Sequence, residues 1–171
     1  MSKQISIATI LPYKENYTFS KAAAASLWVS DFYKYSKFKK TNYIFGSTDS
    51  RDYLSKNYIN INVNNLKSKL SSSTIEYCKQ FIKNSKKFGF DLIEIHNRPL
   101  VYSYLEKKLK SKYILYFHND PLSMKGSKSV KERQFLINSV DKIIFVSKWV
   151  QQNFFYKLDQ KLINKTEVIY P

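Results

Sequence analysis

The sequence predicts an α/β fold built on a parallel sheet of about seven strands, with helices on both faces. Short β-branched, apolar segments alternate with longer amphipathic segments from one end of the chain to the other. Hydrophobic residues make up 43% of the 171 residues, which is enough to bury the core of one domain. No linker or low-complexity tract interrupts this alternation, so residues 1–171 are predicted to form a single domain.

The first half of the chain predicts three strands and two helices. A buried strand is expected at residues 5–11, because this run is apolar and β-branched and is closed by Pro12. Apolar residues at spacings of three and four then predict a helix from residue 18 to about residue 36. The other elements of this half are a short strand at 42–45, an alternating edge strand at 58–63 and a helix at 70–88.

The second half of the chain repeats the alternation of strand and helix with shorter connections. Parallel strands need a crossover, usually a helix, between them, so this regular order predicts a Rossmann-like sheet. The strands are expected at residues 91–95, 113–117, 142–146 and 167–170, and the helices at 100–109, 129–140 and 147–158.

The chain is strongly basic, with a formal net charge of +16. Only three of its 29 basic residues are arginines (Arg51, Arg98 and Arg133), so the other 26 are lysines. Proteins that read bases favour the bidentate guanidinium group, and a nucleic-acid partner is therefore disfavoured. An anionic membrane or a lipid-linked partner remains open, and so does a solvated surface whose lysines reflect the codon use of an A+T-rich genome.

Several classes of site and segment are disfavoured by the sequence. With Cys78 as its one cysteine, the chain can form neither an internal disulfide nor a thiolate metal cluster. No apolar run approaches the roughly 18 residues of a membrane span, and the N-terminal segment does not resemble a signal peptide, so a cytoplasmic location is expected. There is no glycine-rich dinucleotide loop, Walker loop, Asp-x-Asp pair or serine-hydrolase elbow. No metal and no cofactor are therefore expected.

The polar residues that follow the predicted strands form the candidate site, because ligands of an open parallel sheet bind beyond the carboxyl ends of its strands. The only two histidines, His96 and His118, each end a predicted strand, precede an asparagine and lie three residues before a proline. This repeated His-Asn-x-Pro is either a structural turn or a rigid platform for catalytic groups. The candidate residues are Lys14, His96, Asn97, Arg98, His118, Asn119, Asp120, Ser147 and Lys148.

Five stretches of the chain follow the order of one known enzyme family. They are residues 5–12, residues 91–97 (Asp-Leu-Ile-Glu-Ile-His-Asn), residues 116–120 (Tyr-Phe-His-Asn-Asp), residues 141–147 (Asp-Lys-Ile-Ile-Phe-Val-Ser) and residues 167–171 (Glu-Val-Ile-Tyr-Pro). In this order and spacing the chain resembles the N-terminal, acceptor-side half of the retaining GT-B glycosyltransferases often called family 4. Those enzymes build lipopolysaccharide, capsule and glycolipids, and the resemblance extends from one end of the chain to the other.

The resemblance implies a role for the candidate residues. His118 would be the catalytic group that positions the donor sugar and stabilises charge in the transition state, with Asp120 beside it. Ser147 would meet the donor phosphate together with Lys148, although a plain helix N-cap explains Ser147 better. The residues expected to line the acceptor pocket are Lys14, His96, Asn97, Arg98 and Asn119.

One departure from the family pattern concerns the loop after the first strand. Many family members have a Gly-Gly pair there, close to the donor phosphate, whereas this chain has residues 12–16 (Pro-Tyr-Lys-Glu-Asn). A phosphate approaches a backbone without glycine less easily, so Lys14 is expected to act instead as a point charge.

The resemblance also implies partners. The donor would be a nucleotide sugar, held by a C-terminal donor domain that this chain lacks, and the acceptor would be a sugar or a lipid-linked glycan. The complete enzyme would be a retaining, hexosyltransferase-like enzyme, peripheral at the inner face of the membrane, and this half alone is expected to be inactive. The alternatives are a stand-alone, non-catalytic Rossmann-like binding module and, less favoured, a basic nucleic-acid-binding protein.

Overall fold

The computed structural model describes residues 4–63 and 72–171. Their seven strands form one parallel sheet in the order β3-β2-β1-β4-β5-β6-β7, so the predicted α/β, Rossmann-like fold is confirmed. The chain divides into two compact units, with the boundary between Ile93 and Glu94. The strands are β1 (Ile7–Ile10), β2 (Asn42–Gly46), β3 (Tyr58–Asn60), β4 (Leu92–His96), β5 (Lys112–Phe117), β6 (Lys142–Phe145) and β7 (Thr166–Val168).

The strands of the first unit begin with β1, whose four residues are all buried. β1 pairs in parallel with β2, with Ile7 opposite Asn42, and β2 pairs in parallel with β3, with Ile44 opposite Tyr58. β3 ends the sheet order, as its alternating sequence predicts for an edge strand, but it stops at Asn60, three residues earlier than expected.

Helix α1 of the first unit (Ala24–Tyr35) begins later than the sequence predicts. The expected start at residue 18 is wrong, because Thr18 forms an isolated antiparallel bridge with Tyr53 instead of a helical turn. Next to it, the Phe19 N–H donates to the Asp52 carbonyl over 2.9 Å and the Ser20 N–H donates to the Asp52 carboxylate over 2.8 Å. A contact from a distant part of the chain thus supplies the hydrogen bonds that a helix would have supplied.

Helix α2 of the first unit (Ser73–Ser85) is shorter than the predicted 70–88. Residues 70 and 71 of that prediction lie outside the described residues. On the buried face of the helix, the Tyr77 hydroxyl lies 3.0 Å from the Leu11 carbonyl and 3.3 Å from the Phe45 carbonyl. Tyr77 therefore joins the carboxyl ends of β1 and β2.

The second unit contains three α-helices and two 3-10 helices. β5 pairs in parallel with β6, and β6 with β7. A capping box between Ser129 and Glu132 begins the second of its α-helices, where the sequence predicts a helix start. The helices are α3 (Pro99–Leu105), α4 (Val130–Ser139) and α5 (Lys148–Phe155), and the 3-10 helices span Pro121–Ser123 and Gln160–Lys165.

Arg133 is the largest fully buried side chain among the residues that the structure describes. Its Nε donates to the Phe154 carbonyl over 2.7 Å and its Nη2 to the Tyr156 carbonyl over 2.6 Å. Its Nη1 donates to the carbonyls of Ser127 (3.0 Å) and Lys128 (2.8 Å). Backbone oxygens thus satisfy the buried guanidinium, and Arg133 ties the end of α5 to the loop before α4.

Candidate functional site

The two histidines of the chain are in direct contact. His96 is the last residue of β4, and His118 follows the last residue of β5, as the sequence predicts. The Nδ1 atom of His96 lies 2.8 Å from the Nε2 atom of His118, which is hydrogen-bonding distance. The carboxyl ends of β4 and β5 therefore bring two imidazole rings together at the edge where a parallel sheet binds its ligands.

Burial keeps both rings of this histidine pair neutral. His96 is 1% exposed, and burial lowers the pKa of its imidazole well below the usual value, with His118 contributing further. Burial also lowers the pKa of His118 to about 4. A neutral imidazole carries one N–H, so in the bond between the rings one histidine donates and the other accepts. The tautomers of His96 and His118 are therefore coupled.

The face of the His96 ring packs against the ring of Tyr116. It stacks on the ring of Tyr116 with a centroid separation of 4.4 Å and an angle of 7° between the planes. The Tyr116 hydroxyl in turn donates to the Glu94 carboxylate over 3.3 Å. Burial, followed by the charge of Glu94, raises the pKa of the Tyr116 hydroxyl, so the phenol keeps its proton and remains a donor.

Asn97 joins the turn after β4 to the turn after β5. Its Oδ1 atom accepts from the backbone N–H groups of His118 (2.8 Å) and Asn119 (3.3 Å), and its own N–H donates to the Tyr116 carbonyl (2.8 Å). The residue adopts a left-handed conformation with φ of 52°, which asparagine tolerates better than most residues. Asn97 is buried, with 6% of its surface exposed. Its side-chain Oδ1 atom therefore holds the backbone of the turn that carries His118. That Asn97 binds the acceptor stays a prediction.

Asp120 has a defined structural role in the same turn. Its Oδ1 atom accepts from the Leu122 N–H (3.0 Å), capping the 3-10 helix that begins at Pro121, and from the Asn153 side-chain amide (3.1 Å) on α5. The carboxylate therefore anchors the loop that carries His118. The two His-Asn-x-Pro turns also differ, because Asn119 is exposed whereas Asn97 is buried.

The other predicted site residues of the second unit lie at helix starts. Ser147 accepts from the Val150 N–H over 3.2 Å and is the N-cap of α5, as the simpler interpretation of this serine predicts. Lys148 is exposed in the first turn of that helix. Arg98 is exposed before α3, and its Nη1 donates to the Asn97 carbonyl over 2.8 Å.

Lys14 lies in the first unit, in the loop that follows β1. Its backbone adopts a left-handed conformation with φ of 65°, and the Glu15 N–H donates to the Pro12 carbonyl over 3.0 Å to close a turn. The side chain is exposed, and its Nζ lies 5.7 Å from the centroid of the Tyr13 ring. Lys14 thus has a backbone conformation that usually favours glycine. It lies in the loop where many members of the family that the chain resembles have glycine.

Comparison with protein-family models and with curated protein sequences finds no match. Solved structures do match. Sucrose-phosphate synthase from Thermosynechococcus elongatus gives a TM-score of 0.64 at 14% identity, over 97% of this chain and 88% of that chain. Anabaena Alr3699/HepE, solved in complex with UDP, gives 0.64 at 13% identity, over 97% of this chain and 44% of that chain. A glycosyltransferase from Rickettsia africae gives 0.62 at 19% identity, over 98% and 43%.

The fold is that of one GT-B domain. The chain spans less than half the length of the HepE and Rickettsia proteins that it matches. A UDP-N-acetylglucosamine 2-epimerase gives a TM-score of 0.59 at 12% identity, so this fold also occurs outside the transferases. The fold of this GT-B-like domain therefore does not by itself identify a reaction.

Within the described part of the GT-B-like domain, no group of three or more His, Cys, Asp or Glu side chains is arranged to hold a metal ion. None of the described helices is long and apolar enough to cross a membrane.

Tyr116, Tyr77 and Asn153 support strand ends or their loops, but none of them is among the site residues that the sequence predicts. Tyr116 stands only within the stretch 116–120, and Tyr77 and Asn153 stand only within predicted helices. Tyr116 lies two residues before His118 on β5 and therefore on the same face of the strand. That spacing could have indicated Tyr116, whereas the positions of Tyr77 and Asn153 depend on packing between distant segments.

Proposed function

We propose that this GT-B-like domain is the acceptor-side half of a glycosyltransferase that moves a sugar from a nucleotide-sugar donor to a glycan or lipid-linked acceptor. The hydrogen-bonded pair of His96 and His118 at the carboxyl ends of adjacent strands carries the proposal. The GT-B fold and the five stretches that resemble the family 4 enzymes support it. The retaining outcome, hexosyl transfer and a role in lipopolysaccharide, capsule or glycolipid synthesis rest on that resemblance.

His118 is proposed to contact the sugar that is transferred. A neutral imidazole can donate or accept a hydrogen bond, so it can orient a sugar hydroxyl without placing a full positive charge beside the developing oxocarbenium-like centre. Because its Nε2 lies against His96, the orientation of the His118 ring is fixed before the substrate arrives. Such a preorganised group stabilises the transition state without reorganising during the reaction.

The residues around His118 are proposed to have separate roles. His96 positions the ring of His118, and Asn97 positions its backbone. Asp120 anchors the loop that carries His118. Arg98 and Asn119 are exposed in the turns that follow His96 and His118, and they are proposed to contact the acceptor. Lys14, with its left-handed backbone, and Lys148, beside the N-cap Ser147, are the cations proposed to meet the phosphates of the donor or the acceptor.

The proposed function also implies partners for the domain. A second, donor-binding domain would hold the nucleotide, and the reaction would need neither a metal nor a cofactor. The net charge of +16 favours association with the anionic, cytoplasmic face of a membrane, where lipid-linked acceptors are found.

The decisive experiment is to assay the full-length gene product with a panel of nucleotide sugars and to measure the release of nucleoside diphosphate with an acceptor extract. The His118→Ala variant should lose roughly 100- to 1,000-fold in kcat, as expected for the loss of a preorganised transition-state contact. A Lys107→Ala variant, changed at an exposed site in the same unit, should retain full activity.

The alternatives predict different results in this assay. A non-catalytic binding module would turn over no nucleotide sugar, and a His118→Ala variant with the wild-type rate would remove His118 from the mechanism. Circular dichroism of His118→Ala separates a lost contact from a lost fold. A nucleic-acid-binding protein would instead show steeply salt-dependent binding of DNA.

A further inference from the structure

A basic cavity of about 440 Å³ lies in the first unit, at the amino ends of β2 and β3. Four of its lining residues are lysines, and all four are exposed. The loop that carries Lys14 follows the carboxyl end of β1, so the cavity and Lys14 lie at opposite ends of the strands in this unit. The four lysines, called here the lysine pocket, are Lys34, Lys39, Lys40 and Lys56.

The lysine pocket is built by a fixed contact between two loops. The Asn57 side-chain amide donates to the carbonyls of Lys39 (2.9 Å) and Asn42 (3.1 Å). The loop before β2 is further closed by bonds from the N–H groups of Thr41 (2.8 Å) and Asn42 (2.9 Å) to the Phe38 carbonyl. Asn57 therefore holds Lys39 and Lys40 against the loop that carries Lys56. Backbone contacts thus bring Lys39, Lys40 and Lys56 together.

The positive charge of the lysine pocket exceeds what the neighbouring groups neutralise. None of the described residues that line the cavity carries a carboxylate, and Lys34 pairs with Asp31 at 3.9 Å on an exposed surface. Four lysines less one aspartate leave three positive charges. The C-terminus of α1 beside them is equivalent to only about half a negative charge. Complementing the helix dipole thus accounts for a small part of this cluster.

We propose that the lysine pocket binds a phosphate-bearing anion, either the headgroup of an anionic lipid or a soluble phosphate ester. Ammonium groups bind phosphate as point charges, and the hydroxyls of Ser30 and Tyr33 in the same lining can add hydrogen bonds. This inference deepens the proposed association with an anionic surface and does not depend on the proposed transfer reaction.

The test compares two triple variants of the chain that carry the same charge. Lys39→Ala, Lys40→Ala and Lys56→Ala together remove the pocket charge without breaking a side-chain contact seen in the structure. The control variant carries Lys107→Ala, Lys108→Ala and Lys110→Ala, three exposed lysines of the second unit. Each triple variant lowers the net charge from +16 to +13 (16 − 3 = 13). Circular dichroism confirms that both variants fold.

Two probes distinguish the sources of phosphate. Sedimentation with vesicles of phosphatidylglycerol and phosphatidylcholine measures lipid binding, and NMR titration with inorganic pyrophosphate measures binding of a soluble phosphate. Loss of roughly 100-fold in vesicle affinity in the pocket variant, but not in the control, supports the lipid source. Pyrophosphate shifts confined to residues 33–41 and 54–57 and abolished in the pocket variant support the soluble source. Equal losses in the two triple variants, or no binding of either probe, overturn the proposal. Neither result bears on the His118→Ala assay.

Discussion

At the scale of single residues, the candidate site depends on Asn97 as much as on the histidines. Asn97 Oδ1 accepts from two backbone N–H groups in the turn that carries His118, and the left-handed backbone of Asn97 allows this geometry. The sequence indicated the same His-Asn-x-Pro turn after both strands, but it could not show that the first asparagine holds the second turn. That contact depends on how the end of β4 is aligned with the end of β5.

Substitutions at Asn97 should separate its backbone role from its side-chain role. Asn97→Ala loses the two accepted bonds and is strained at φ 52°, so we expect a loss of roughly 2–4 kcal/mol in the free energy of unfolding. Asn97→Gly loses the same bonds without the strain and should be about 1 kcal/mol more stable than Asn97→Ala. Urea unfolding of the two variants measures the difference, and Asn97→Asp, which keeps the acceptor oxygen, is the control. Equal stability of the Gly and Ala variants would contradict the role of the left-handed backbone.

At the scale of elements, the sequence predicted the strands better than the helices. β1, β2, β4, β5 and β6 lie within about two residues of their predicted ends, because apolar, β-branched runs closed by polar turns are local signals. The start of α1 was predicted six residues too early, because residues 18–20 bond to Asp52 and Tyr53 from a distant loop. The buried Arg133 is another non-local feature, since its partners lie at the end of α5 and in the loop before α4.

The loop between the 3-10 helix at Pro121–Ser123 and α4 gives a test at this scale. Gly126 has φ of 92°, and a Cβ atom there would lie 2.9 Å from the Leu100 backbone nitrogen. Gly126→Ala should therefore push the loop away from the start of α3 and cost roughly 2–4 kcal/mol of stability. Gly89→Ala is the matched control, because Gly89 also has a positive φ, 59°, but a Cβ atom there would meet nothing within 4 Å.

The difference between the two glycine variants isolates the steric contact. Gly89→Ala should cost only the left-handed strain, about 1–2 kcal/mol. Urea unfolding of both variants beside the wild type measures the two losses. If Gly89→Ala were as destabilising as Gly126→Ala, the packing of this loop against α3 would not be what selects glycine at position 126.

At the scale of the whole molecule, the fold class was predictable because every level of the sequence agreed with it. The alternation of strands and helices, the polar strand ends and the family resemblance all indicated the same parallel sheet, and the structure has it. The site was predictable only as a set of positions. That both histidines end strands follows from the sequence, but their 2.8 Å contact and their burial follow from packing.

The two buried histidines make the stability of the whole chain depend on pH in a defined window. Burial lowers the pKa of His118 to about 4 and that of His96 well below its usual value. An unfolded histidine titrates near about 6.5. Because the folded pKa lies below the unfolded one, the unfolded chain binds protons first as the pH falls. The free energy of unfolding should therefore decrease from about pH 6.5 downwards, by on the order of 3 kcal/mol at pH 4 for His118 alone.

Carboxylates act in a different window, so the histidine effect can be measured separately. The pKa of Asp52 is lowered to about 2 by hydrogen bonds, first from the Ser50 and Ser20 side chains, and that of Glu132 is lowered chiefly by the Ser129 backbone. The stability that these carboxylates contribute is lost as the pH falls from the usual carboxylate range down through their lower folded pKa values. Urea unfolding between pH 7 and pH 4.5 should show a slope that a His96→Gln, His118→Gln double variant largely removes. An unchanged slope in the double variant would assign the acid sensitivity to repulsion within the strongly positive chain instead.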